Sequence, residues 1–156
     1  MSGKRVIICI AALLALLAAC ASTPQASPER DREAKQFQTH PNAATIYVYR
    51  SNLNRHAQIH DDPVLYIDDR LIGNALPGSY FRIDVVPGRH TLHGIASDAG
   101  RLAVDVRPGE LYFVRLEVVG GQSNFRLEPG TLGRRTIESC CALLENWAPG
   151  QRPLLR

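Results

Sequence analysis

A chain of 156 residues has room for one domain plus a targeting segment, and not for two full domains. With 45% hydrophobic and 21% charged residues it is too apolar to stay disordered throughout. Its formal charge of +3 falls to +1 without the first 19 residues, because Lys4 and Arg5 leave and no acid does. Near-balanced charge provides no concentrated basic face, so nucleic acid is excluded as an expected partner.

The N-terminus has the layout of a secretory signal. Lys4-Arg5 is a positive start, residues 6–19 are apolar throughout, and the small residues Ala18-Ala19 close the run. That run is 14 residues long, short of the roughly 20 that a membrane-spanning helix needs. The string Leu17-Ala18-Ala19-Cys20 resembles the lipobox of bacterial lipoproteins. The resemblance implies that leader 1–19 is removed, that the Cys20 thiol carries a diacylglycerol, and that Cys20 becomes the first residue. Each buried CH₂ contributes about 0.8 kcal/mol and stable anchoring takes two membrane signals, so two or three acyl chains hold such a domain on the membrane. Ala21 and Ser22 follow without an Asp. By resemblance to lipoproteins of two-membrane bacteria, this implies an outer-membrane, periplasm-facing location.

Residues 20–43 are the lipidated cysteine and its tether. They are rich in Ala, Ser, Thr, Pro and Gln, with mixed charges over 29–35 and no long apolar period. The expectation is a flexible segment with a frayed helical turn around 29–37. At about 5–6 Å × √n, such a tether places the domain about 25–30 Å from the lipid.

From residue 44 to 156 a single domain is expected. Pro77-Gly78, Pro87-Gly88, Pro108-Gly109 and Pro129-Gly130, with Gly100 and Gly120-Gly121 between them, punctuate the chain at short intervals. Pro presets φ at the second turn position and Gly accepts the positive φ that follows. Between the turns, apolar residues recur every second position: Phe81, Ile83 and Val85; Leu102, Val104 and Val106; Tyr112, Val114, Leu116 and Val118; Phe125 and Leu127. Segments 45–50, 64–68 and 91–96 are β-branched or aromatic runs, and Asp68-Asp69-Arg70 predicts a hairpin tip. The fold class is mainly β: an antiparallel sandwich of about seven strands, immunoglobulin- or prealbumin-like. Opposite charges two apart, as in Arg82/Asp84, Asp105/Arg107, Arg115/Glu117 and Arg126/Glu128, predict a solvated sheet face with cross-strand ion pairs. Near the end, Ile137, Cys140, Cys141, Leu144 and Ala148 fall on one helical face, which predicts a short C-terminal helix stopped by Pro149-Gly150.

The order of these signals is itself a pattern. A strand ending in Arg50 is followed by Val64-Leu65-Tyr66-Ile67-Asp68-Asp69, Ile72-Gly73, Gly78-Ser79-Tyr80-Phe81, Val86-Pro87-Gly88-Arg89-His90 and Pro108-Gly109-Glu110-Leu111-Tyr112. It resembles a family of bacterial lipoproteins carrying a domain of unknown function (family 2846), and is similar to the β-sandwich repeats with a Pro-Glu-Gly-Ala signature. The resemblance implies a β-sandwich in the cell envelope and carries no catalytic residue across.

Candidate chemistry is sparse. His56 and His60, four apart with Asp61 adjacent, are an alternative metal-binding or enzymatic set in the polar connection before the second strand. Their spacing without a third imidazole favours a solvated loop. His90 and His93 are an odd number apart in one strand and point to opposite faces. Cys140 and Cys141 are the thiols left after leader removal. In an exported protein they are disulfide candidates, but neighbouring side chains on a helix diverge, so they are expected as small core residues. Asp68-Asp69 is explained by its hairpin position. No G-x-S-x-G, H-E-x-x-H, P-loop or dinucleotide glycine pattern occurs. The expectation is a lipid-anchored, non-enzymatic interaction or structural module without cofactor, working on another envelope protein or the cell wall. The alternative is an envelope enzyme or metal-binding protein.

Overall fold

The computed structural model describes residues 23–51, 63–94, 100–119 and 122–146. The strands are β1 (Ala44–Arg50), β2 (Val64–Ile67), β3 (Arg70–Asn74), β4 (Ser79–Val85), β5 (Gly88–His93), β6 (Leu102–Val106), β7 (Leu111–Val119), β8 (Gln122–Glu128) and β9 (Ala142–Leu143). The helices are α1 (Pro28–Ala34) and α2 (Gly130–Cys140). A five-stranded sheet in the order β8-β7-β1-β4-β9 faces a four-stranded sheet in the order β3-β2-β5-β6. The chain is mainly β and sandwich-like, with the short C-terminal helix in place.

Turn chemistry sets the connections. Asp68 and Asp69 both have positive φ, 49° and 61°, the geometry of a two-residue hairpin turn that follows the natural strand twist. Gly78 and Gly109 take φ of 70° and 76° behind their prolines. The other Pro-Gly pairs act differently: Gly88 opens β5, and Pro129, with φ −57° and ψ 138°, precedes the first turn of α2. Proline suits that place because helix starts leave amide donors unused.

β1 explains the layering. All seven of its residues are buried. Ile46 and Val48 point between the sheets with Leu65, Ile67, Ile83 and Val114. Tyr47 and Tyr49 point the other way, into an aromatic cluster with Tyr80, Phe113 and Phe37, which also holds Ile137 of α2 and Ala34 of α1. Two sheets and a helical layer thus enclose two cores.

Three expectations are corrected. The sandwich is not wholly antiparallel: β1 pairs with β7, and β4 with β9, in parallel. Both pairs join segments distant in sequence, so no hairpin dictates their direction. The C-terminal helix starts at Gly130 and stops at Cys140, and Cys141 is extended at φ −123° and ψ 143°. Chain beyond it adds β9 to the β4 edge, satisfying backbone groups that a longer helix would leave on that edge. The third correction concerns the tether: from Thr23 on it is packed. Ala26, Ala34 and Phe37 are buried on the aromatic face of the five-stranded sheet, beside Ile137 of α2, and Thr23 is buried against Gly73 and Asn74 of β3.

The charged pairs are distributed as follows. Arg82 reaches Asp84 at 3.6 Å and Arg115 reaches Glu117 at 2.6 Å, each within its own strand. Asp105 pairs across strands with Arg89 at 3.1 Å, directly opposite in register. Among the described residues no helix is long and apolar enough to cross a membrane.

Candidate functional site

The N-terminal segment is fastened to the sandwich by a clasp of backbone and side-chain bonds. Thr23 Oγ1 accepts from the Asn74 amide at 2.8 Å. Ala26 N donates to Leu143 O at 2.9 Å and Glu145 N donates to Pro24 O at 2.8 Å, around a Gln25–Leu144 antiparallel bridge. Ser27 caps α1, and Pro28 takes its first position. Arg30 and Glu145 form an ion pair.

Asp31 is the hub of the clasp. Its Oδ1 accepts from the Leu143 amide at 2.8 Å and from the Tyr80 hydroxyl at 3.0 Å, and its Oδ2 accepts from Lys35 Nζ at 2.8 Å. Burial works to raise this carboxyl, but the bonds from Lys35, Leu143 and Tyr80 together hold it below the usual value. The Tyr80 hydroxyl is pushed up by burial first and by its bond to Asp31 second. Tyr47 donates to Ala34 O at 2.8 Å, and burial pushes its hydroxyl up to about 12. Both phenols therefore stay protonated and serve as donors that hold α1 down.

A second cluster lies at the β2–β3 hairpin. His90 Nδ1 is 2.5 Å from Asp68 Oδ2, and its Nε2 is 2.7 Å from Val86 O. His93 Nε2 is 3.1 Å from Asp69 Oδ1, its Nδ1 is 2.6 Å from Gly94 O, and its ring stacks on Tyr66 at 5.0 Å. Asp68 Oδ1 also accepts from the Thr91 amide at 2.8 Å. The two histidines do point to opposite faces, as their spacing predicts, but the hairpin acids do more than turn the chain. Each carboxylate crosses to β5 and ties the hairpin to it. Every ring nitrogen meets an oxygen, so this geometry locks strands together and leaves no imidazole nitrogen directed at a common point. Among the described residues no three His, Cys, Asp or Glu side chains are grouped to hold a metal ion.

The sulfurs of Cys140 and Cys141 are bonded to each other. Expected as separate core thiols on one helical face, they are joined because Cys141 has left the helix, which removes the divergence of neighbouring helical side chains. Cys141 is buried in the aromatic cluster and Cys140 packs against it. Cys20, His56, His60 and Asp61 lie outside the described residues.

Sequence reasoning passed over Asp31, Tyr47 and Tyr80. A signal for α1 was present: Ser27 before Pro28, with Glu29 and Asp31 in the first turn, is a helix-start signature. The hairpin-to-β5 bonds carry no such signal, because they depend on which strand lies beside β2.

Residues 40–130 match the model of the family described as Protein of unknown function (DUF2846), more than half of the chain. The chain belongs to this family. The match runs from just before β1 to the start of α2, so it takes in β1 to β8 and the hairpin cluster but not the N-terminal clasp or β9. The chain is also 33% identical over 102 residues to an uncharacterized protein of Haemophilus influenzae, a stretch covering 64% of this chain and 59% of that protein. It therefore spans about three-fifths of that relative's length. No solved structure matches.

Proposed function

We propose that this family member is a lipid-anchored envelope lipoprotein. Its sandwich serves as a non-catalytic interaction or structural module at the periplasmic face of the outer membrane. The observation that carries this is Leu17-Ala18-Ala19-Cys20, set directly behind a 14-residue apolar run that is too short to span a bilayer. The non-catalytic half is supported by the hairpin cluster, whose imidazoles and carboxylates are engaged in tying strands together. Partners in this setting are another envelope protein or the cell wall.

Mass spectrometry of the native protein tests the anchor: the expected N-terminus is an acylated Cys20, and Cys20→Ser is expected to leave the membrane fraction. An unmodified terminus, or unchanged fractionation of the variant, overturns it. Cross-linked envelopes are expected to yield one defined partner; recovery of bulk membrane proteins alone counts against the interaction role.

A further inference from the structure

The clasp changes what a lipid on Cys20 would do. A flexible segment up to residue 43 allows the domain to stand about 25–30 Å from the bilayer. Yet Thr23 is already buried and bonded to Asn74, and the next residues pair with β9 and its extension. Only three Cα–Cα steps separate Cys20 from Thr23, a span of about 11 Å at most.

Thr23 also sits at a defined end of the sandwich. Asn74 closes β3, and β3 is linked by residues 75–78 to the start of β4. That end collects the close of β1 and β5 and the start of β2, β4 and β6. The opposite end collects the Asp68–Asp69 hairpin and the β4–β5 and β6–β7 turns. From one end to the other, β1 alone runs about 23 Å.

Resting on the lipoprotein reading, we infer that the domain lies directly against the bilayer with its Thr23 end on the lipid surface and its hairpin end, with Asp68 and Asp69, facing away. The short link between Cys20 and the clasp fixes this orientation.

The test uses the full lipidated protein in vesicles of phosphatidylethanolamine and phosphatidylglycerol containing a headgroup-nitroxide lipid. A fluorophore is placed on Pro77→Cys, at the Thr23 end, or on Arg107→Cys, at the other; both positions are exposed. Quenching is expected to be severalfold stronger at residue 77. Equal or reversed quenching in protein that floats with the vesicles overturns the orientation while the anchor stands. Protein that does not float overturns the anchor, and the inference with it. A Gly-Ser insert of about 20 residues between Ser22 and Thr23 adds about 25 Å of reach and is expected to abolish the difference. If the difference persists, the short link is not its cause.

Discussion

The two faces of the five-stranded sheet are built on different terms. The face toward the second sheet is mostly aliphatic, with Ile46, Ile83 and Val114 beside the rings of Phe81 and Phe125. The face toward the helices is aromatic. Its cover comes from both ends of the domain: α1 and Phe37 before β1, and α2 and β9 after β8. Phe37 packs on Tyr47 and Phe113 at 5.2 and 5.7 Å, and Tyr47 stacks on Phe113 at 5.2 Å. The inter-sheet core needs only that the strands pair. The aromatic core also needs the N-terminal segment to be clasped, so its integrity is tied to hydrogen bonds and to ionisable groups.

That contrast is open to attack by mutation. Removing the central ring with Phe113→Ala is expected to cost about 3–5 kcal/mol in urea denaturation and to free the N-terminal segment. Trimming the inter-sheet core with Ile46→Val is expected to cost about 0.5–1.5 kcal/mol and to leave the segment bound. If both variants release it equally, the two cores are one unit.

Gly133→Ala separates packing from helix propensity. In an exposed helix this change gains up to about 1 kcal/mol. Here the new Cβ would lie 2.4 Å from Phe113 Cβ, so α2 would have to lift. A loss of about 1–3 kcal/mol is expected, and a stabilised variant would show that α2 does not press on the sheet.

Asp31→Ala removes three hydrogen bonds from the clasp and is expected to cost about 1–3 kcal/mol. It should also speed hydrogen exchange at the Leu143 amide. Because the folded Asp31 carboxyl is held below its ordinary value, its stabilising share is complete above about pH 3.9 and is lost as pH falls through the lower folded value. Tyr47 has the opposite sign. Its raised value makes its share complete below about pH 10 and lost as pH rises from there toward 12. Acid and alkali are both expected to expose the aromatic core first, read as near-ultraviolet circular dichroism changing before the far-ultraviolet signal. The smallest effect belongs to the exposed pair Arg89–Asp105, where Arg89→Ala should leave the unfolding midpoint nearly unchanged.

The sandwich was legible because a strand with one wet face writes its burial as alternation, and because Pro-Gly and Asp-Asp turns have their own chemistry. β1 was harder to place. Buried on both faces, it reads as one continuous apolar run, which marks a strand without saying that two cores meet on it. Segment 23–43 reads as a tether because seven helical residues with a single buried alanine have no visible period. Its partners, Asn74, Tyr80 and Leu143, lie dozens of residues away.

By itself the sequence determined the export signal pattern, the lipobox resemblance, the β class and the hairpin at Asp68-Asp69, since each depends on neighbours in the chain. Tertiary structure alone decided the parallel pairing of β1 with β7, the bonds from Asp68 and Asp69 to His90 and His93, the junction of Cys140 with Cys141 and the docking of Thr23. All of these except the cysteine junction bring distant segments side by side. The cysteines are adjacent in sequence, yet whether their sulfurs meet depends on where α2 ends, and β4 sets that by drawing the following residues into its edge.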